Sequence, residues 1–319
     1  MMACGTLFFA PGESEEQVAV HIVNGAYREP DETFTITLSN PSGARLGDLH
    51  AASVTIRDDS PRVTSANPAD DVRFFVRQHY LDFLSREPDA SGAQFWTDNI
   101  ANCGADSQCR EVKRIDTSAA FFLSIEFQQT GFLVYRMYEA AFGDIPGSLV
   151  PVRRDELLPD TQAVGRGVVV GAPGWEQQLE ANKGSFAQAF VSRRRFADAY
   201  PAAMTPAEFV AKLNQNAGGA LTQPEADALA QGLAAAGNTQ QARAAVLREV
   251  AENAGFARRE FDRAFVLMEY FGYLRRDPDD GGYRFWLAKL DSFGGDFRRA
   301  EMVRAFISSA EYRQRFGQP

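Results

Sequence analysis

Arg86-Glu87-Pro88-Asp89-Ala90-Ser91-Gly92-Ala93-Gln94-Phe95-Trp96 returns as Arg276-Asp277-Pro278-Asp279-Asp280-Gly281-Gly282-Tyr283-Arg284-Phe285-Trp286, 190 residues later (276 minus 86). The same offset carries Tyr80 onto Tyr270 and Leu84 onto Leu274. Upstream of each phrase, apolar residues recur at helical spacing: Val76, Tyr80, Phe83 and Leu84 in one copy, Phe261, Phe265 and Met268 in the other. Arg-x-Pro-Asp predicts a helix break, because proline disfavours helical geometry in the residue before it. Asp89 or Ser91, and Asp279, stand where a side chain caps the next helix. That helix is expected to carry Phe95-Trp96 or Phe285-Trp286 inward. A later helix ends in Phe122-Leu123-Ser124-Ile125-Glu126-Phe127, echoed by Ile307-Ser308-Ser309-Ala310-Glu311-Tyr312 at an offset of 185 (309 minus 124). The first copy is therefore longer by five residues (190 minus 185), in the loop bearing Cys103 and Cys109. A repeat that keeps its turn and aromatic pair but carries no catalytic group points to a structural or binding module.

Between these copies lie degenerate relatives. Tyr138 to Phe142, Trp175 and Phe190 to Phe196 form one; Phe209, Leu213, Leu221, Leu229, Val246 and Val250 to Phe256 form another. The pattern predicts a helical repeat region over 71–319, with units at about 74–127, 132–196, 207–256 and 261–316.

Residues 5–59 alternate with period two instead. Val18, Val20 and Ile22 share one face, as do Phe34, Ile36 and Leu38, and Val54 and Ile56. Pro11-Gly12, Asn24-Gly25 and Asn40-Pro41-Ser42-Gly43 separate the runs. About four strands are expected, enough for one sheet and part of another. Residues 60–70 are small and polar with two prolines and read as a linker. The fold class is mostly α: an N-terminal fragment of an antiparallel β-sandwich followed by an all-α helical repeat domain.

Two resemblances follow from these residues. Gly5-Thr6-Leu7-Phe8-Phe9-Ala10-Pro11-Gly12-Glu13, Asp31-Glu32-Thr33-Phe34-Thr35-Ile36-Thr37-Leu38-Ser39-Asn40-Pro41 and Ala52-Ser53-Val54-Thr55-Ile56-Arg57-Asp58-Asp59 resemble, in order and spacing, the Calx-β module of exchangers, integrin β4 and bacterial surface proteins. The likeness covers only about the C-terminal half of such a module. It implies that the natural protein extends upstream of Met1, which an in-frame coding extension would bear out. The helical unit, over roughly 74–316, resembles a bacterial domain of unknown function, number forty-two fourteen, whose pattern looks like that of phycobilisome linkers. Its copies sit in secreted or surface proteins, and it brings an architecture without a reaction.

Composition narrows the partners. A net charge of -9 disfavours nucleic acid, since neutralising phosphates needs a basic surface. Arg193-Arg194-Arg195 is short and reads as a solvated helix end rather than an anion contact. No apolar run approaches the ~18 residues of a transmembrane helix, and the first residues lack the basic and apolar regions of a signal peptide. Cys103 and Cys109 are close enough to close a small disulfide loop, whereas two zinc ligands would need partners that the neighbourhood does not offer. The disulfide favours an oxidising compartment.

The best ligand cluster is acidic: Glu29, Asp31 and Glu32 before one strand, Asp58 and Asp59 ending the last. Calcium takes about six to eight oxygens, mostly carboxylate. Calcium-binding Calx-β modules use acids in the corresponding loops, so the resemblance implies a calcium role for these five, although Ser60 stands where a third terminal acid is common. Asp277-x-Asp279-Asp280-Gly281-Gly282 is not an EF-hand, because the twelfth position is Ala288. Arg86 and Arg276 are expected to fix the turn through carbonyls or a carboxylate. Trp96 and Trp286 are expected in the core rather than on a sugar-binding surface. His21 alternates outward, His50 lies in a loop, and His79 falls on the polar side of its helix. Gly165-Arg166-Gly167-Val168-Val169-Val170-Gly171 lacks the Gly-Lys-Ser/Thr of a phosphate loop. No catalytic motif is found, and no enzyme activity is expected.

The functional expectation is a non-enzymatic bacterial surface or secreted protein for adhesion or surface assembly, with calcium bound by the β part and a protein or cell-surface partner. The alternative is an accessory region, binding carbohydrate or protein, of a secreted enzyme whose catalytic part lies upstream.

Overall fold

A computed structural model describes residues 31–57 and 67–317, with isolated positions at 7, 9, 14–16, 18, 20 and 22. Among these, the only strands are β1 (Glu32–Thr37) and β2 (Ala51–Ile56), an antiparallel pair with Glu32 opposite Ile56 and Thr37 opposite Ala51. Phe34, Ile36, Val54 and Ile56 share one half-buried face. Leu38 lies past the strand end and is exposed, against the inward placement expected of it. Val18, Val20 and Ile22 of the alternating run are exposed and belong to no strand, against the half-buried strand face expected of them, and the turn at Pro11-Gly12 falls outside the described residues.

The rest is helical. α1 (Val72–His79) runs into a π-helical turn (Tyr80–Leu84), then α2 (Ala90–Ala101), α3 (Ser107–Leu123) and the short α4 (Ile125–Gln129). α5 (Gly131–Phe142), α6 (Arg154–Gly165), α7 (Trp175–Ser192) and α8 (Arg194–Ala199) repeat that order. α9 (Pro206–Asn216), α10 (Gln223–Ala235) and α11 (Gln240–Glu252) follow. α12 (Ala254–Glu269), a second π-helical turn (Tyr270–Leu274), α13 (Asp280–Ser292), α14 (Met302–Ile307) and α15 (Ala310–Gln314) complete the chain.

Four three-helix units emerge, each closed by the same kink. Ser124, Arg193, Asn253 and Ser309 are extended at φ of -63°, -65°, -57° and -65°, and each follows a helix end. A buried side chain stands three residues before each kink and a buried aromatic three after: Phe121 and Phe127, Phe190 and Phe196, Val250 and Phe256, Phe306 and Tyr312. In three of the four, the kink side chain accepts from the aromatic's N–H, satisfying a donor that a helix start leaves free.

The units do not sit in simple file. The two π-helical turns meet, so the first unit packs directly on the last. Phe83 and Tyr273, equivalent under the repeat, lie with ring centroids 5.2 Å apart. One contiguous apolar core runs from Ala69 to Phe316. Residues 67–70, expected in the linker, belong to this body: Pro68–Asp70 forms a 3-10 turn and Asn67 Nδ2 donates to the Arg313 carbonyl at 3.2 Å.

Candidate functional site

The repeated turn is built identically in both outer units. Each π-helical turn ends at a left-handed residue, Ser85 (φ 54°) or Arg275 (φ 52°). The helix thus stops before Arg-x-Pro-Asp, earlier than the proline rule places the break. The left-handed residue's N–H reaches back to Tyr80 or Tyr270, which widens the last turn. Asp89 and Asp279 then cap the next helix by accepting from Gly92 and Gly282 N–H at 2.8 and 2.7 Å. Ser91 donates to Asp89 rather than capping.

The arginines are fully engaged. Arg86 grips both oxygens of Glu126 at 2.7 Å, donates to the Glu87 carbonyl and lies 5.0 Å over the Tyr80 ring. Arg276 does the same with Glu311 at 2.5 and 3.1 Å, the Asp277 carbonyl, and Tyr270 at 5.3 Å. Both are raised above the usual arginine pKa: for Arg86 burial opposes this but the Glu126 carboxylate outweighs it, and for Arg276 the Glu311 bond leads. The second unit redistributes this cluster. Tyr138 O–H donates to Asp160, and Arg193 holds both Asp160 oxygens at 2.7 and 2.6 Å. The triple-arginine run is therefore not a solvated helix end throughout: Arg193 pairs with Asp160 and Arg195 with Glu156, and only Arg194 stands fully out.

Gly92 and Gly282 are required by this packing. A Cβ at Gly92 would lie 2.2 Å from the Tyr80 hydroxyl oxygen, and at Gly282 2.4 Å from that of Tyr270. Gly92→Ala and Gly282→Ala are each expected to cost about 1–3 kcal/mol by overpacking, read as a lowered urea midpoint with an unchanged slope.

The aromatic pair does not point wholly inward. Phe95 and Phe285 are 61% and 58% exposed, each standing edge-on to its half-buried tryptophan at 4.9 and 5.0 Å. Trp96 and Trp286 lean on Phe121 and Phe306. The tryptophans already fill the gap to the third helix, so the adjacent phenylalanine, about 100° round the helix, is left facing out.

His79 is buried, not on a polar face, because the last unit covers that side of α1. Its Nδ1 lies 2.7 Å from the Phe75 carbonyl oxygen and its Nε2 2.6 Å from Ser118 Oγ, which in turn lies 2.5 Å from the Tyr273 hydroxyl. A serine beside a histidine is the contact a nucleophile needs, but both are buried in the seam between units, where a substrate does not reach. Beside them Asp82 is held by Arg315 and Arg275. Burial pushes its carboxyl up, but the two arginines outweigh burial and hold it below the usual range. The helix around these residues is legible in the sequence, and nothing local announces the seam.

Cys103 and Cys109 form a disulfide with Cα atoms 5.6 Å apart, closing the α2–α3 loop, and Asp106 caps α3 inside it. The Gly165–Gly171 run connects α6 to α7, with the Val164 and Arg166 carbonyls tied by Asn182.

Of the acidic candidates, Asp31 and Glu32 are exposed at the start of β1, opposite the end of β2. Glu29, Asp58 and Asp59 lie outside the described residues. Two carboxylates are short of calcium's oxygen count, and no group of three or more acidic, histidine or cysteine side chains converges among the described residues. Among these residues no helix is long and apolar enough to cross a membrane.

Comparison with known proteins gives two partial matches. The Calx-beta domain model matches residues 1–60, and the model described as Domain of unknown function (DUF4214) matches residues 248–316. No curated protein and no solved structure matches the chain. The first unit reproduces the capping aspartate bond and the arginine–glutamate grip of the unit that the second model matches. The chain is thus mostly α, with a segment that matches the Calx-beta domain model ahead of a helical region whose last unit matches the DUF4214 model.

Proposed function

We propose that this is a non-enzymatic bacterial protein of the cell surface or extracellular space. In it the helical body is a docking scaffold for adhesion or surface assembly, and calcium rigidifies the Calx-beta region. The observation that carries this reading is the fate of the repeat's polar groups. In both outer copies the arginine, the aspartate, the tyrosine and the distant glutamate all hold the turn, and each copy presents an outward phenylalanine on a half-buried tryptophan to the solvent. The Cys103–Cys109 disulfide supports an oxidising compartment. Calcium-binding modules of the Calx-β kind support Glu29, Asp31, Glu32, Asp58 and Asp59 as ligands.

Thermal unfolding of the full chain in millimolar calcium and in chelator tests the metal. A ligand at about a hundred times its Kd adds about 2.7 kcal/mol, which raises Tm by a few degrees. The rise is expected to vanish in the Asp58→Ala, Asp59→Ala double variant, and its absence from the parent chain would remove calcium from the proposal. The outward Phe95 and Phe285 also favour the second reading, a carbohydrate- or protein-binding accessory region of a larger secreted enzyme. Glycan binding lost in Phe95→Ala, Phe285→Ala, together with a hydrolase motif in upstream coding sequence, would decide for it. Further β-sandwich repeats upstream would decide for adhesion.

A further inference from the structure

Residues 79 and 269 correspond under the repeat offset (269 minus 79 is 190), and both are ionisable and fully buried in the seam between the first and last units. With the imidazole neutral, the hydrogens around His79 have one arrangement. The Phe75 carbonyl can only accept, so Nδ1 carries the proton. Nε2 therefore accepts from the Ser118 hydroxyl, whose oxygen accepts from the Tyr273 hydroxyl. A second proton on Nε2 would turn the Ser118 hydroxyl round to donate to the Tyr273 oxygen, and the Tyr273 hydrogen would lose Ser118 as its acceptor. The charged groups facing the ring are Asp82 from its own helical stretch, Arg114 from α3 and Arg315 beyond α15. Burial is the largest influence on the ring and brings its pKa down to about 4.

Glu269 is the converse. Its Oε2 is buried with no hydrogen-bond partner, and the titratable group that feels its charge across the turn is Tyr273. Burial raises its carboxyl well above the usual range. The folded seam therefore holds a neutral imidazole and a protonated carboxyl. In mildly acid solution the unfolded chain holds an imidazolium and a carboxylate at the same two positions.

We propose that His79 and Glu269 act as a proton-compensated pair, so that the seam closes in mildly acid solution with little net proton exchange and loosens as pH rises above that range. The proton that one side chain gives up on folding equals the one that the other takes up. The buried histidine loses stabilisation as pH falls from 6.5 towards 4. The buried glutamate loses it as pH rises from 4.5. Over the shared range the two slopes oppose. Above it only the glutamate acts, and stability falls with rising pH.

The test is urea unfolding of the full chain between about pH 4.5 and 8.5 for the parent, Glu269→Gln and His79→Gln. The folding constant of Glu269→Gln relative to the parent is expected to grow as pH rises from about 4.5, by up to about tenfold per pH unit. The parent's advantage over His79→Gln is expected to shrink about tenfold per pH unit from about 6.5 downwards. Other titrating groups, such as Glu139, raised by burial to about 7, are common to all three chains and cancel in these ratios. With three histidines in the chain, the ring resonances of the parent give an independent reading even where a variant does not fold. His79 is expected to stay neutral down to about pH 5. A His79 ring that titrates near pH 6.5, or ratios that do not change with pH, would overturn the proposal.

Discussion

Replacing Asp82 with alanine is expected to destabilise the chain by about 3–5 kcal/mol, the range for breaking a buried ion pair from one side. The carboxylate is 3% exposed. Both of its oxygens accept from Arg315 Nη2, at 2.9 and 3.0 Å, and one accepts from Arg275 at 3.1 Å. Arg315 also ties the last unit to itself by donating to the Gly272 and Tyr273 carbonyls at 2.9 and 2.6 Å. Without the carboxylate, Arg315 and Arg275 lose the buried charge that both of them grip in the seam. Urea midpoints in parent and variant measure the loss; a change under about 1 kcal/mol would mean that water reaches the seam. Because Asp82 is held below its usual pKa, its contribution is present at neutral pH and is lost as pH falls through the acid range.

Gly272→Asp would restore the repeat, since position 272 is the counterpart of Asp82 (272 minus 82 is 190), yet it is expected to cost about 4 kcal/mol or more. A Cβ at Gly272 would lie 2.7 Å from Cζ of Phe83. That ring cannot yield easily: it stacks on His79 at 5.9 Å and meets Tyr273 and Phe127 edge-on at 5.2 and 6.2 Å. The aspartate would add a clash and a second carboxylate beside the first. Gly272→Ala isolates the clash, at about 1–3 kcal/mol. If the two variants unfold at the same urea midpoint, the charge contributes nothing to the loss. The two copies differ here because a seam between nearly equal faces has room for one side chain, not two.

The outer units are legible in the sequence because their signals are local. A proline, a capping aspartate and an aromatic pair recur in fixed order, and each acts within a few residues. The Glu126 and Glu311 partners of Arg86 and Arg276 lie 40 and 35 residues away, and only the second offset hints at them. Periodicity misplaces His79 because it assigns one buried face per helix, whereas α1 is covered from two sides once the last unit arrives. It misplaces Phe95 and Phe285 for the opposite reason: adjacent aromatics cannot both enter a core one helix wide. In the β region, two strands and their register agree with the alternation at Phe34, Ile36, Val54 and Ile56. The proposed ligands Glu29, Asp58 and Asp59 fall outside the described residues.

The start and finish of the helical body lie side by side. Asp70 pairs with Arg313 at 2.7 and 3.0 Å, and the Phe74 and Phe316 rings meet at 5.1 Å. A pull applied through residues 67 and 316 would load this junction before any of the middle helices. The contacts would separate in succession from the open end, as a zip does, rather than together. Resistance to tension would then be set by the rate at which this junction opens, and a chain under load would give up its two outer units while α5 to α11 stayed folded.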